Sequence, residues 1–253
     1  MTPLLDVRGI SVRFGGLNAL SDVSMSVASG EIVGLIGPNG AGKTTFINAV
    51  TGAVKSRGQI SFDGRPITGL APHLVARRGL ARTYQIVQPF PEMSARDNVA
   101  AGALFSGAEP SLARARGRAD AVLERVGLRA VADHRAGELT LAQRKRLEVA
   151  KGLASNPRML LLDEVNAGLN AAEVDEALTL IRSVAREGVA VLLVEHLMRV
   201  VSGLCDRVVV LHHGRLIAEG APADVLADDA VVEAYLGSRY ASRAAAAGAM
   251  KTP

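Results

Sequence analysis

The sequence predicts an α/β fold, because three apolar runs of the kind found in buried parallel strands alternate with helical segments. Residues 32–36, 159–162 and 189–194 contain no charged residue and are rich in valine, leucine and isoleucine. A glycine-rich turn and a helix over residues 44–50 follow the first run, and a helix over residues 171–185 separates the other two. With 253 residues, the chain has room for one such domain of ordinary size.

Shorter β segments accompany this pattern. Residues 4–12 alternate apolar and polar side chains, which predicts an edge strand, and residues 23–27 repeat with the same period of two. A further strand is expected near residues 59–62, and residues 207–219 are typical of a hairpin that turns at residues 213–214.

The composition changes over residues 94–154, where alanine, leucine and arginine recur with helical spacing. We interpret this stretch as a helical insertion. A single domain is predicted over residues 1–236, with a helical subdomain over approximately residues 86–157. The remaining residues, 237–253, include an alanine run and are predicted to form a flexible tail.

The charge distribution disfavours nucleic-acid binding. The net charge is +4, but the last 17 residues contain three basic residues and no acid, so residues 1–236 carry only +1. The chain has no tryptophan, and its five phenylalanines and three tyrosines are scattered, whereas nucleic-acid binders concentrate basic residues and aromatics on one face. No stretch free of charged residues exceeds 11 residues, which is too short for a membrane-spanning helix.

Cysteine content and the N-terminal sequence favour the cytoplasm. Cys205 is the single cysteine, so no intramolecular disulfide can form, and we expect a small buried apolar residue at this position. Residues 1–6 lack the basic segment and apolar core that mark a secretory signal.

Residues 37–45 carry the clearest chemical motif. They fit the pattern G-x-x-x-x-G-K-[ST], with a predicted strand before it and a predicted helix after it, as the motif requires. Glycines allow backbone N–H groups to approach phosphate oxygens, and the helix N-terminus adds partial positive charge. Lys43 would reach the β- and γ-phosphates of a nucleotide, and the Thr44 hydroxyl would hold Mg²⁺. The expected phosphate-binding residues are Gly37, Pro38, Asn39, Gly40, Ala41, Gly42, Lys43, Thr44 and Thr45.

The second motif, residues 160–164, is an apolar strand that ends in two carboxylates. Parallel sheets bind ligands at the C-terminal ends of their strands. Asp163 suits Mg²⁺ coordination through water, and Glu164 can hold the attacking water as a general base. Many strands end in an acid, so the interpretation depends on the phosphate-binding motif in the same chain.

Together the two motifs resemble those of the ATP-binding cassette family, the ATPase subunits of ABC transporters, along nearly the whole chain. The resemblance implies a P-loop fold with a mixed-sheet core, an antiparallel β subdomain and a helical signature subdomain. Residues 81–85 match the family's glutamine loop, which implies that Gln85 senses the γ-phosphate and Mg²⁺. Residues 194–196 match its switch histidine, which implies a γ-phosphate contact for His196. Phe14 occupies the place of the adenine-stacking aromatic, with a core phenylalanine as the alternative.

Residues 139–143, Leu-Thr-Leu-Ala-Gln, align with the family signature, usually written LSGGQ, but lack its two glycines. In the family this segment closes over the γ-phosphate held by a second subunit, which implies that contact for Thr140, Ala142 and Gln143. Thr140 retains the hydroxyl. The methyl group of Ala142 is harmless if the residue is helical, but costs roughly 1–2 kcal/mol if its φ is positive. We interpret the basic run that follows, residues 144–146, as solvated helix surface.

Three segments are similar to the importer ATPases for branched-chain amino acids. They are residues 139–150, residues 163–170, with Val165 where most cassettes have proline, and residues 232–237. Relatives with this pattern also serve urea, short amides and aromatic acids. The resemblance implies an ATP- and Mg²⁺-dependent ATPase, peripheral on the cytoplasmic face of the inner membrane. Its partners would be an identical or paralogous ABC ATPase, integral membrane permeases and, indirectly, a substrate-binding protein.

Two other functions are weighed against transport. A soluble ABC ATPase of translation or DNA repair usually contains two cassettes or long coiled coils, for which 253 residues leave no room. A regulatory ABC subunit with weak hydrolysis is favoured by Ala142. The apolar residues Val87, Phe90 and Met93 are either a docking surface for a permease helix or core residues of the helical subdomain.

Overall fold

The computed structural model describes residues 2–83 and 88–236, and these form ten strands, nine α-helices and two short 3₁₀ helices. The strands are β1 (Leu5–Phe14), β2 (Leu17–Val27), β3 (Ile32–Ile36), β4 (Arg57–Phe62), β5 (Arg65–Pro66), β6 (Leu80–Arg82), β7 (Met159–Asp163), β8 (Ala190–Val194), β9 (Arg207–His212) and β10 (Arg215–Gly220). The helices are α1 (Lys43–Val50), α2 (Pro72–Arg77), α3 (Ala95–Phe105), α4 (Leu112–Arg125), α5 (Leu141–Ala154), α6 (Ala171–Arg186), α7 (Met198–Leu204), α8 (Pro222–Leu226) and α9 (Asp229–Leu236).

The larger sheet contains the three apolar runs and has the strand order β10-β9-β3-β8-β7-β6. Its strands are parallel from β9 to β6, and β10 pairs antiparallel with β9. Every residue of β3, β7 and β8 is buried, as continuous apolar runs predict. The mixed sheet with surrounding helices confirms the predicted fold class. It also places the C-terminal ends of β3, β7 and β8 at one edge of the sheet, where α/β folds bind ligands.

The smaller sheet is antiparallel, with the order β2-β1-β4-β5, and it corrects one prediction. Residues 4–12 were expected at an edge, but β1 lies in the interior of the sheet, where Leu5 pairs with both Val27 and Phe62. The alternation in β1 arises because one face is buried against the core and the other is more exposed. Period-two patterning therefore reports the buried face of a strand and carries no information about its lateral neighbours.

The stretch predicted to be helical contains α3, α4 and α5, which pack on one another. Small residues on the facing sides allow close approach: Ala100, Ala103, Ala115 and Ala119 are fully buried. Arg118 of α4 donates a hydrogen bond of 2.6 Å to the carbonyl oxygen of Ala154, at the C-terminus of α5. The region predicted to be a tail, residues 237–253, lies outside the described residues. No helix among the described residues is both long and apolar enough to cross a membrane.

The predicted hairpin is formed by β9 and β10. His213 and Gly214 both have positive φ, 47° and 74°, as a two-residue hairpin turn requires. Gly214 is packed closely, since a Cβ there would lie 2.5 Å from the carbonyl oxygen of Ala19 in β2. The hairpin therefore joins the two sheets beside the loop that follows β3.

Cys205 is buried, as predicted, at the end of α7. Its sulfur lies under β3, and a Cβ added to Gly34 would come within 2.9 Å of Sγ. Burial raises the pKa of the Cys205 thiol from an ordinary value of 9.0 to about 12, and the neighbouring acids Asp206 and Glu195 add to this shift. The thiol is therefore a neutral packing group at physiological pH.

We predict that Cys205 resists alkylation at pH 8 in the folded chain. The thiolate is the reactive form, and a pKa three units higher makes its fraction roughly a thousandfold smaller than in the unfolded chain. Iodoacetamide labelling followed by mass spectrometry, with and without urea, measures this difference. Equal labelling rates in the two conditions would contradict the burial of Cys205.

Candidate functional site

The loop between β3 and α1 curves through glycines with positive φ. Gly37, Gly40 and Gly42 have φ values of 147°, 79° and 108°. A Cβ at Gly37 would lie 2.1 Å from the carbonyl oxygen of Leu211, so no larger residue fits there. Gly42 is the N-cap of α1, and no side chain among the described residues caps this helix, so its first N–H groups are available to an anion. Asn39, Gly40 and Thr44 are exposed, Pro38 and Thr45 are half-buried, and Ala41 is buried.

The Lys43 side chain is held inside this loop. Its ammonium group donates hydrogen bonds of 2.6 Å to the carbonyl oxygen of Gly37 and 3.2 Å to that of Pro38. Burial lowers the pKa of Lys43, and the charges of Glu164 and Asp163 partly oppose that shift. The loop and the two carboxylates predicted to act with it are therefore close in space.

Asp163, the last residue of β7, is almost completely buried. Its carboxylate lies 3.3 Å from the Arg82 guanidinium, which also donates a 2.5 Å hydrogen bond to the Asn48 side chain on α1. Burial raises the pKa of Asp163, and Arg82 is the largest influence opposing that shift. Arg82, which sequence reasoning missed, thus links the helix after the phosphate-binding loop to the end of β7. Carboxylate and hydroxyl oxygens suit Mg²⁺, so Asp163 and the exposed side chain of Thr44 are a chemically fitting pair of ligands.

Glu164 follows in a left-handed conformation, with φ of 50°, which costs an L-residue roughly 1–2 kcal/mol. Its N–H donates a 3.0 Å hydrogen bond to the carbonyl oxygen of Val194 in β8. Its own carbonyl oxygen accepts hydrogen bonds from the Lys145 ammonium at 3.0 Å and from the Ala167 N–H at 3.2 Å. Backbone contacts on both sides therefore fix a conformation that the residue would not adopt alone.

His196 lies at the end of β8, beside Glu164, and its side chain is exposed. Its N–H donates a 3.3 Å hydrogen bond to the carboxylate of Glu195, which is buried. The other oxygen of Glu195 accepts a 2.7 Å hydrogen bond from the Asn166 amide. The parallel strands thus bring Lys43, Asp163, Glu164 and His196 to the same edge of the sheet. Gln85 lies outside the described residues.

Phe14 ends β1 at the hairpin to β2, and 51% of its surface is exposed. The alternative of a core phenylalanine is therefore wrong. An exposed ring is available to stack on a base, and that role stays a prediction.

The signature segment forms the start of α5. Thr140 is the N-cap, and it exchanges hydrogen bonds with Gln143: the Gln143 N–H donates to the Thr140 hydroxyl at 3.3 Å, and the Thr140 N–H donates to the Gln143 side chain at 3.0 Å. Ala142 is the second residue of the helix and does not have positive φ. The energetic cost considered for its methyl group therefore does not arise.

The basic run after the signature is not a solvated surface, and this prediction was wrong. Lys145 is only 7% exposed because its position on α5 faces the loop that carries Glu164. Arg144 donates two 2.8 Å hydrogen bonds, to the carbonyl oxygens of Leu139 and Gly137. Arg146 pairs with Glu176 of α6. Through these three side chains, α5 contacts the segment that precedes it, the loop that carries Glu164, and α6.

The apolar group after the glutamine loop lies at the surface where it is described. Phe90 is 54% exposed and Met93 is 36% exposed, so Phe90 is not a core residue of the helical region, whereas Val87 lies outside the described residues. A groove of about 470 Å³ runs nearby between β6 and α5, and the exposed ring of Phe105 lines it. The Lys151 ammonium lies 5.9 Å from the centre of the Phe90 ring. Lys151 also lines the groove, so the Phe90 ring lies beside it.

Tyr235 on α9 lies near the loop of residues 37–45, and 38% of its surface is exposed. Burial raises the pKa of the Tyr235 hydroxyl, and the backbone of Gly37 partly opposes that shift. Tyr235 belongs to the segment 232–237 that carries part of the sequence resemblance. Sequence reasoning did not place it near the nucleotide loop, because helix α9 was not predicted.

Comparisons with known proteins agree with this geometry. The family model for the ABC transporter matches residues 20–167, and the model for the branched-chain amino acid ATP-binding cassette transporter matches residues 215–241. The chain is 39% identical over 250 residues to the high-affinity branched-chain amino acid transport ATP-binding protein BraF of Pseudomonas aeruginosa, covering 93% of this chain and 98% of BraF. It is 40% identical over 250 residues to the protein of the same description, LivG, of Escherichia coli, with the same coverage.

A solved structure of an ATP-binding cassette of an ABC transporter, in its ADP conformation, matches with a TM-score of 0.86 and 31% identity. The match covers 94% of this chain and all of that one. With a family model over more than half of its length and relatives similar along almost all of it, the chain belongs to the ABC transporter family, as one of its ATP-hydrolysing subunits.

Proposed function

We propose that this ATPase powers the import of branched-chain amino acids through partner permeases. The observation that carries the proposal is the similarity to BraF and LivG along almost the whole chain, including the separate match over residues 215–241. Urea, short amides and aromatic acids are the related cargoes that the sequence resemblance leaves open.

In this proposal the loop of residues 37–45 binds the phosphates of ATP through its backbone N–H groups. Lys43 supports the interpretation because its ammonium is already aimed along the loop by two carbonyl oxygens. Thr44 and Asp163 would hold Mg²⁺, which when bound neutralises phosphate charge. Glu164 would accept a proton from the attacking water, and His196 would contact the γ-phosphate. Gln85 would sense the γ-phosphate and Mg²⁺, and Phe14 would stack on adenine.

The proposed active form is a pair of cassettes, identical or paralogous, with two ATP molecules between them. Thr140, Ala142 and Gln143 of one chain would close over the γ-phosphate held by the other. The capped start of α5 supports this role, because helix N-termini favour anions. Since Ala142 is helical, the missing glycines give no support to a regulatory subunit that hydrolyses poorly.

The permeases would hold the chain peripherally on the cytoplasmic face of the inner membrane. Phe90 and Met93, with the groove beside them, are the proposed contact for a cytoplasmic helix of a permease. Their exposure supports the proposal, because monomeric proteins seldom leave clustered large apolar side chains in water. A substrate-binding protein would act only through the permeases.

We predict that Lys43→Ala strongly weakens ATP binding. The substitution removes a charge-assisted hydrogen bond to phosphate, so affinity should fall at least about tenfold. Lys55→Ala, which changes an exposed lysine after α1, is the matched control and should bind normally. Titration with a fluorescent ATP analogue measures both, and an unchanged affinity of the Lys43 variant would refute the phosphate-loop assignment.

We also predict that Ala142→Gly brings no gain in hydrolysis. Glycine inside a helix costs about 0.5–1 kcal/mol relative to alanine, so the melting temperature should fall slightly. Steady-state ATPase rates and thermal unfolding of the two chains test this. A several-fold rise in the rate would instead favour the regulatory subunit.

The test of the importer proposal uses a tagged Glu164→Gln chain, which should bind ATP without hydrolysing it. Extraction from native membranes in mild detergent with ATP, followed by mass spectrometry, should recover two permeases and a second cassette. Genes adjacent to those of the permeases, and uptake of labelled leucine by the assembled complex, then identify the cargo. Recovery of only ribosomal or DNA-bound proteins would exclude transport.

The same capture tests the docking surface. Phe90→Ala in the tagged chain should recover fewer permeases, because it removes the exposed ring at the groove. Val232→Ala is the matched control, since Val232 is exposed on α9, which packs beside β10 at the opposite edge of the large sheet. Normal assembly and transport by the Phe90 variant would eliminate this surface.

A further inference from the structure

Lys145 makes a contact that the proposed nucleotide chemistry does not use. It lies on α5, five residues after the signature threonine, and is 7% exposed. Its ammonium donates a 3.0 Å hydrogen bond to the carbonyl oxygen of Glu164. Burial lowers the pKa of Lys145, and the charges of Glu195 and Glu164 oppose that shift. Lys145 can therefore affect the conformation of the segments that carry Glu164 and Glu195.

The hydrogen bond from Lys145 matters because of the backbone conformation of Glu164. Positive φ disfavours an L-residue, so the turn persists only where its surroundings hold it. On one side, the carbonyl oxygen of Val194 accepts a hydrogen bond from the Glu164 N–H. On the other side, the Glu164 carbonyl oxygen accepts hydrogen bonds from the Ala167 N–H, within the same turn, and from the Lys145 ammonium. Lys145 is the member of this set that comes from the signature helix.

A buried network extends from the same place to the switch histidine. Glu195 accepts a 2.7 Å hydrogen bond from the Asn166 amide, two residues after Glu164, and its second oxygen accepts the His196 N–H. Lys145 attracts Glu195 electrostatically across this network. The lysine is thus adjacent to both chain segments that carry groups facing the γ-phosphate in the proposed function.

We propose that Lys145 is a positioning residue for ATP hydrolysis: its hydrogen bond to the Glu164 carbonyl holds the left-handed turn that aims the Glu164 carboxylate. This inference rests on the proposed role of Glu164 as the general base. Because Lys145 lies on the helix that starts with the signature, its side chain would transmit a shift of that helix to the backbone of Glu164.

The first test compares ATP hydrolysis by the full-length chain and its variants. Lys145→Met should lower kcat about tenfold or more and change KM for ATP less than about twofold, since misplacing a catalytic group by about 1 Å can cost a hundredfold. Lys145→Arg keeps a donor and should restore the rate to within about threefold. Arg129→Met removes a basic residue whose ion pair with Glu124 is exposed, and it serves as the matched control.

A double-mutant cycle separates positioning from a general loss of structure. In the Glu164→Gln background, Lys145→Met should change the residual rate less than about twofold, because the group that it positions is already gone. An equal loss in both backgrounds, or a wild-type rate for Lys145→Met, would overturn the proposal. If Glu164→Gln itself hydrolysed ATP normally, the proposed function would fail separately.

Amide hydrogen exchange supplies a measurement that does not depend on hydrolysis. Lys145→Met should speed exchange in residues 164–169 more than in the rest of the sheet, whereas Lys145→Arg, which keeps the buried charge, should leave that segment protected. Unchanged exchange in that segment would refute the contact's role whatever the ATPase result. If the methionine variant does not fold, Lys145→Gln, whose shorter side chain removes the ammonium, provides the same contrast.

Discussion

The parallel pairing of β8 with both β3 and β7 is the constraint on which the site depends. Leu35 and Asp163 both pair with Val194, so the ends of the three strands are aligned at one edge. That register brings the loop of residues 37–45, the two carboxylates and His196 together, although more than a hundred residues separate the loop from the carboxylates. The apolar character of these strands is therefore a functional requirement as well as a source of stability, since burial on both faces leaves little freedom to slip.

Charged groups at this edge are buried and compensate one another. Arg82 offsets Asp163 and also contacts α1, while Lys145 offsets Glu195 and contacts the Glu164 backbone. Removing one member of such a set leaves an uncompensated buried charge, which costs far more than an exposed ion pair contributes. Asp163, Lys145 and Glu195 are thus buried at this edge, whereas Phe14, Thr44 and His196 reach the surface. This division suits a site that must admit a nucleotide and then orient it.

The sequence predicted the local motifs, but it did not predict which elements pack against one another. The glycines of residues 37–45 and the strand ending in Asp163 and Glu164 are contiguous signals, and the structure places both at one edge of the sheet. The interior position of β1, the burial of Lys145 and the contact of Arg82 with Asp163 depend on which element packs on which, information that periodicity does not hold. Ala142 was an intermediate case, because the effect of its methyl group depended on a single dihedral angle, φ. Its helical conformation follows from the Thr140 cap, a local signal that the alignment with the glycine signature obscured.

The most direct test of the account is a crystal structure of the Glu164→Gln chain with ATP and Mn²⁺, read by the anomalous signal of the metal. The account predicts a manganese peak between the Thr44 hydroxyl and Asp163, phosphates within the loop of residues 37–45, and adenine against Phe14. It also predicts Thr140 of a second chain at the γ-phosphate. Nucleotide bound away from that loop, or manganese at a site without Thr44 and Asp163, would contradict it.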